Sequence, residues 1–350
     1  MRNVKATFKN AKEPQIWSSV IRSLQLPLAE YGLKIEELLT VCGVDPDALS
    51  HPHSQLPLSR YLDILNMAAA NSGNPLLGID LGKRVGPEIL GALGFLFLTS
   101  RTLYDGLKAL CDYQNLLQES TSLVLQREGN KYAFRYEIYG MGHTNTRQDV
   151  EFSQALISRF IRLYSNNQIE PAYISFRHAA SDTIAKYERL LSAPCYFTQN
   201  SNSVYINQKD IYHRGLRYDP DLTQILKDYL DNDLKEKRTV ITFVDQVKRA
   251  ILANNSADLL TAEKVARQLG LSQATLYRRL QHEKASFKKI LDSVFYELAC
   301  GYLKETNLTI YQISNLIGFS SAASFSRAFS VWNSGQSPKE FRNAVGQQSD

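Results

Sequence analysis

The sequence predicts an α+β N-terminal domain followed by an all-α C-terminal domain with two helix-turn-helix units. Three observations lead there. The hydrophobic period is helical from Pro14 through Gln118, then becomes alternating over Thr121–Glu128 and Lys131–Tyr139. From Asp219 onward the period is helical again. Near the C-terminus one pattern is used twice, at Thr261–Leu280 and Thr309–Phe329: a short amphipathic helix, a Gly-centred turn, and a second helix with one apolar face. A length of 350 residues with 44% hydrophobic residues is enough for two domains with sizeable cores.

The elements follow in chain order. Residues 1–13 are polar and are expected to fray. Ile16, Trp17, Val20, Ile21 and Leu24 predict an amphipathic helix from Pro14, and Ile35–Val41 a second one, closed by Gly43. Asp45-Pro-Asp47 and His51-Pro-His53 mark turns. The His-x-His pair sits between prolines with no acidic or Cys partner nearby, so it reads as a loop and not as a metal site. Helices are expected at Leu58–Ala70, Pro75–Val85, Leu90–Thr99 and Thr102–Gln118. The two alternating runs form a hairpin around Glu128-Gly-Asn130. Helix Arg147–Ser165, strand Ala172–Arg177, helix Asp182–Leu191 and strands Cys195–Phe197 and Ser203–Asn207 complete the N-terminal domain.

Asp219–Leu234 reads as a helix with a broad apolar stripe of Leu222, Ile225, Leu226, Tyr229, Leu230 and Leu234. Such a stripe suits docking on its own domain or on a second copy of the chain. Asn232–Thr239 reads as a charged linker, and Thr242–Asn254 opens the C-terminal domain with Phe243, Val247 and Ile251 along one face. The expected division is residues 14–217, a connecting helix and linker at 218–240, and residues 241–345, with helix-turn-helix units at 261–282 and 309–332.

Charge and motifs narrow the function. Formal net charge is +5, and residues 256–350 hold eleven Lys and Arg against eight Asp and Glu. Any affinity for nucleic acid must therefore come from the placement of a few cations and from dimerisation, not from bulk charge. The four cysteines are scattered without a Cys-x-x-Cys, which fits a reducing, cytoplasmic setting and no metal or redox site. The N-terminus shows no apolar run followed by a cleavage site, and the longest apolar run, Ile89–Leu98, is half the ~20 residues of a spanning helix. No phosphate loop, dinucleotide fingerprint, nucleophile elbow or His-Glu-x-x-His is present, so neither an enzyme nor a cofactor is expected. Arg177 and His178, at a strand end, are the candidate effector-binding residues; the alternative is that they hold a neighbouring loop.

The two repeats can be read position by position. Val265 and Leu269 face one way, small Ala266 lets the second helix approach, Gly270 ends the first helix, and Ser272 can cap the next. Leu276 and Leu280 turn inward, leaving Tyr277, Arg278 and Gln281 outward. In the second repeat Ile313 and Ile317, Ser314, Gly318, Ser320 or Ser321, and Phe325 and Phe329 take the same places. Ala322, Ala323, Ser324 and Arg327 are left outward. In such a motif the second helix enters the DNA major groove.

These residues carry a resemblance. Ala266-Arg-Gln-Leu-Gly-Leu-Ser272, Leu276-Tyr-Arg-Arg-Leu280, Leu316-Ile-Gly-Phe319, Phe325-Ser-Arg-Ala-Phe329, Trp332 and Ser337-Pro-Lys-Glu-Phe-Arg342 resemble the DNA-binding domain of the AraC/XylS family of transcription regulators. The resemblance implies base contacts at Ala274, Tyr277 and Arg278 in one recognition helix and at Ala322, Ala323, Ser324 and Arg327 in the other. Three departures stand out: Phe295 where the family usually has Arg, Ser314 where Ala is usual, and one extra residue between Trp332 and Pro338. The N-terminal half is similar to the arabinose-binding-type domain of the ornithine-utilisation-regulator branch. That likeness rests on Leu56-Pro-Leu58, Leu77-Gly-Ile-Asp-Leu-Gly82, Gly91-Ala-Leu-Gly94, Thr102-Leu103, Ile174-Ser-Phe-Arg-His178, Tyr187-Glu-Arg-Leu190, Ala193-Pro-Cys-Tyr-Phe197 and Val204. The resemblance implies a sequence-specific regulator of transcription, an activator gated by a small-molecule effector. Its implied partners are double-stranded promoter DNA, the effector, a second copy of the chain and RNA polymerase, with no membrane. The alternatives are a constitutive regulator whose N-terminal domain only dimerises, and an enzyme fused to a DNA-binding domain.

Overall fold

A computed structural model describes residues 13–50, 54–141, 145–237, 242–253 and 260–346. The first element is a strand where a helix was expected. β1 (Gln15–Trp17) pairs antiparallel with β2 (Gln55–Pro57), Ile16 opposite Leu56, and helix α1 (Ser18–Ala29) starts only afterwards. Ile16 and Trp17 have helical spacing to Val20 and Ile21, but long-range pairing overrides it, because both Ile16 and Leu56 are buried in the strand arrangement.

The helical part continues as α2 (Ile35–Val41), α3 (Leu58–Ser72), α4 (Leu77–Arg84), α5 (Ala92–Thr99) and α6 (Leu103–Leu117), with 3₁₀ turns at Pro46–Leu49 and Pro87–Leu90. The start of α6 is fixed by a reciprocal cap between Thr102 and Asp105. The His51-Pro-His53 turn lies outside the described residues. The hairpin β3 (Thr121–Glu128) and β4 (Lys131–Ile138) is followed by α7 (Arg147–Ser165), β5 (Tyr173–Ser175), α8 (Ile184–Leu191), β6 (Cys195–Tyr196) and β7 (Ser203–Asn207). The sheet order is β3-β4-β7-β5-β6, antiparallel except for β5–β6.

α7 is the spine of this domain. α4 lies against it because Gly78 and Gly82 have no side chains: a Cβ at Gly78 would sit 2.2 Å from the Gln148 carbonyl oxygen, and one at Gly82 2.4 Å from that of Phe152. The Gly78 N–H also donates to Gln148 Oε1 at 2.8 Å.

α9 (Pro220–Lys237) extends further than expected, so Asn232–Lys237 is helix and not linker. Lys235, Glu236 and Lys237 are all good helix formers, and the period simply continues through them. The stripe divides. Leu230 is buried in the N-terminal core with Leu226 and Leu234 packed beside it, while Leu222, Ile225 and Tyr229 remain exposed. Thr223 Oγ1 donates to the Thr99 carbonyl at 2.7 Å, and Tyr113 OH to Asp231 at 2.7 Å, which fixes the docked side.

The C-terminal domain is α10 (Phe243–Leu252), α11 (Ala262–Gln268), α12 (Gln273–His282), α13 (Phe287–Glu305), α14 (Ile310–Ile317), α15 (Ala322–Trp332) and α16 (Pro338–Gly346). Its core is separate from that of the N-terminal domain. Among the described residues no helix is long and apolar enough to cross a membrane.

Candidate functional site

The two helix-turn-helix units are built alike. In the first, Thr261 caps α11, Gly270 takes φ +69° in the turn, and Ser272 Oγ accepts from the Thr275 N–H at 3.2 Å to start α12. In the second, Thr309 and Gln312 cap α14 reciprocally, Gly318 takes φ +89°, and Ser321 Oγ accepts from the Ser324 N–H at 3.1 Å to start α15. Val265, Leu276 and Leu280 are buried in one unit, Ile313, Ile317, Phe325 and Phe329 in the other. Ser314, where Ala is usual, is also buried, and its hydroxyl donates to the Tyr311 carbonyl at 2.7 Å, so the extra polar atom is satisfied within the helix.

What remains outward defines the surface. Ala274, Tyr277, Arg278 and Gln281 are exposed on α12. On α15 Ala323 and Arg327 are exposed, and Ala322 and Ser324 are half-buried. Neither Arg278 nor Arg327 pairs with a carboxylate among the described residues. Arg279 is different: its guanidinium lies 5.5 Å from the centre of the Phe243 ring, tying α12 to α10. The Ser324 hydroxyl donates to the Ser321 carbonyl at 2.8 Å, so toward a ligand it can only accept. Glu283, not singled out from the sequence, accepts from the N–H groups of Phe243 at 2.7 Å and Val244 at 3.0 Å. It thereby caps α10 from the end of the first recognition helix.

The N-terminal domain contains a cavity between α6, α7 and β4, with about 660 Å³ of empty space including its mouth. Its wall is mainly Leu and Ile, with Tyr61, Gln114, Gln118, Tyr136, Asp149 and Ser153 as the main polar groups. Tyr136 OH donates to Asp149 Oδ2 and accepts from Gln118 Nε2 at 3.2 Å. Burial raises the Asp149 carboxyl to about 6, against the hydrogen bonds from Tyr136 and Tyr61 that favour its charged form. No single signal in the sequence marks Asp149; it is one more acidic residue in the first turn of a helix.

Arg177 and His178 do not line this cavity. His178 is buried, its Nδ1 2.8 Å from the Ala179 carbonyl and its Nε2 3.7 Å from Glu151, and burial depresses it to about 4. Arg177 turns to the other domain. It pairs with Glu137 at 3.0 Å, donates to the Asn200 carbonyl at 2.8 Å, and stacks 5.5 Å from the centre of the Tyr302 ring on α13.

β4 therefore has two working faces. Alternation sends Tyr136 to the cavity and Arg135, Glu137 and Tyr139, just past its end, the opposite way. Buried Arg135 donates to the Ala253 carbonyl at 2.7 Å, and Tyr139 OH accepts from Arg249 Nε at 2.9 Å. Beside them the Gly140 N–H donates to Glu297 Oε2 at 2.7 Å and Tyr302 OH to the Gln199 carbonyl at 3.0 Å. A cleft at this contact is lined by Arg177, Ile251, Phe295, Leu298, Tyr302 and Ile317, among others. Phe295, where Arg is usual, is buried and meets Phe319 edge-on at 6.3 Å. A polar contact at that position is thus replaced by packing against the second unit.

Comparison with known proteins places both halves. Residues 32–214 match the model of the arabinose-binding domain of AraC transcription regulators, N-terminal, and residues 265–344 match a helix-turn-helix domain. The chain is 24% identical to the ornithine utilization regulator of Pseudomonas aeruginosa over 91% of its length and 93% of that protein. It is 26% identical to the HTH-type transcriptional regulator VirS of Mycobacterium tuberculosis over 85% of its length and 87% of that protein. Among solved structures, the transcriptional regulator CdpR of Pseudomonas aeruginosa aligns with a TM-score of 0.45 at 16% identity, covering 92% of this chain and 98% of that one. The chain belongs to the AraC-type transcription regulators that carry an arabinose-binding-type N-terminal domain.

Proposed function

We propose that this regulator is an effector-gated transcription activator whose N-terminal domain, residues 14–217, reports cavity occupancy to the DNA-binding domain, residues 241–345, across 218–240. The observation that carries it is the double role of β4: one face walls the cavity through Tyr136, while the other reaches the DNA-binding domain directly through Arg135 and indirectly through Glu137, whose partner Arg177 stacks on Tyr302. A ligand that prefers one position of this strand shifts the population of domain arrangements, and with it the fit of two recognition helices to their half-sites.

At the DNA, Arg278 and Arg327 donate bidentately to guanine edges, and Tyr277, Gln281 and Ser324 add polar contacts. Ala274, Ala322 and Ala323 offer only apolar surface, as to a thymine methyl, so part of the site is read by shape. The two helices occupy successive major-groove segments about 34 Å apart. A second copy of the chain pairs through the exposed Leu222, Ile225 and Tyr229 of α9, and RNA polymerase is engaged at the promoter.

The test is a thermal-shift screen of the whole protein against small-molecule classes, followed by DNA titration with any ligand found. A ligand at ~100 times its Kd stabilises its domain by about 2.7 kcal/mol. A hit that also changes DNA affinity supports gating. A hit without that change separates sensing from DNA binding and overturns it, and silence across the screen favours a constitutive regulator.

A further inference from the structure

We propose that the cavity of the N-terminal domain takes a small amphiphilic amine, its ammonium group on Asp149 and its apolar part along the Leu and Ile wall. The inference rests on the sensor reading above and adds the chemistry of the ligand. Among the described residues no lysine, arginine or histidine lines the cavity, and Asp149 is its only acid. Asp149 is 2% exposed, and among the described residues no cation lies within ion-pair distance of it. A carboxylate buried without a counter-ion is costly, and a ligand cation is what would offset that cost.

The hydrogen-bond inventory points the same way. The other polar groups on the wall are largely spent. Gln114 accepts from the Leu123 N–H and donates to the Cys111 carbonyl at 3.0 Å. Gln118 donates to Tyr136, and Tyr136 and Tyr61 both donate to Asp149. An ionised carboxylate has about four acceptor sites, so two remain after the tyrosines. The cavity thus presents an acceptor with spare capacity and few spare donors. It suits a ligand that brings N–H donors. It does not suit a carboxylate or phosphate, which would meet Asp149 with like charge, nor a sugar, whose hydroxyls would face Leu90, Leu93, Leu110 and Ile157. The rings of Tyr61, Tyr136 and Phe152 add faces on which an ammonium is attracted. The position of Asp149 in the first turn of α7 also favours its charged form.

The experiment is calorimetric titration of the full chain with n-hexylamine, 1-hexanol and hexanoate, three probes of one length that differ in charge. The expected result is that hexylamine binds at least about tenfold more tightly than hexanol, and hexanoate more weakly than either. Asp149→Asn should erase the preference of amine over alcohol while leaving hexanol binding in place, which shows that the cavity survives. Equal binding of hexylamine and hexanol to the native protein, or a preference for hexanoate, overturns the amine assignment and leaves the sensor reading standing. Binding of none of the three overturns both. If Asp149→Asn does not fold, the three-probe comparison on the native chain decides alone.

Discussion

The two domains bury different things. The N-terminal domain encloses Arg135, Glu137, Asp149, Glu151 and His178. Among described residues from Thr242 onward, no charged side chain is buried, and the buried Ser and Thr are Ser314, bonded to a carbonyl of its own helix at 2.7 Å, and Thr306, bonded to a carbonyl of the helix it ends at 2.6 Å. A core of the second kind has one state that depends little on pH or solutes. A core of the first kind holds charges whose cost changes when a proton, a ligand or a neighbouring domain arrives. The contrast assigns rigidity to the part that must fit DNA and adjustability to the arabinose-binding-type domain.

The largest effect expected is on the rigid side. Phe329 is fully buried against Phe325, Tyr296 and Phe341, with ring centres 5.5–5.9 Å apart. Phe329→Ala should cost the DNA-binding domain about 3–5 kcal/mol, by the same amount at about pH 5 and about pH 8, in a calorimetric melt. A loss that changed with pH would break the contrast.

Asp149→Asn probes the adjustable side. The native protein holds the Asp149 proton up to about 6, whereas the unfolded chain releases it near 3.8. Between those values the folded state binds more protons, so this group costs stability as pH rises through the window, and the cost is complete above it. The substitution should therefore stabilise the unliganded protein by about 1.4 kcal/mol more at about pH 8 than at about pH 5, since the unfolded chain has already released this proton by about pH 5. Glu151 and His178 titrate identically in both proteins and drop out of the comparison. An equal effect at the two pH values would mean that Asp149 is not an uncompensated charge.

The rigid domain was also the legible one. Its caps, its Gly turns and its i,i+4 apolar pairs are local features, so Ser272, Gly270 and Leu276–Leu280 could be placed from spacing alone. In the N-terminal domain, local rules located most helices and the β3–β4 hairpin but misassigned Ile16 and Trp17, whose fate depends on a partner about forty residues away. They were blind to Asp149, Arg135 and Glu137, because a buried charge is defined by what long-range packing puts around it. Arg177 was noticed from its strand-end position, yet its partners Glu137 and Tyr302 come from two other elements. The extension of α9 through Lys237 shows the converse: a charged run reads as a linker, although Lys and Glu favour helix when the preceding turn already exists.

The contrast predicts that removing a contact from the rigid domain to DNA leaves the stability of the N-terminal domain unchanged. Arg327→Ala should cost about 1–3 kcal/mol of binding and relax preference at one base pair, measured by fluorescence anisotropy on selected DNA and its single-base variants. Equal weakening on all sequences would make Arg327 a phosphate contact. Neither outcome should change the melting of the N-terminal domain.

The smallest effect expected lies where the two kinds of core meet. Tyr302→Phe removes one hydroxyl, its bond to the Gln199 carbonyl, and leaves the ring that Arg177 stacks on. The net cost should be about 0.5–1.5 kcal/mol, seen as a wider gap between the melting transitions of the two domains. If the gap is unchanged, the sheet is a neighbour of α13 and not its anchor. If it widens, a contact that belongs to neither the cavity nor the recognition helices helps set how the domains sit together, which is where a signal carried by β4 would have to pass.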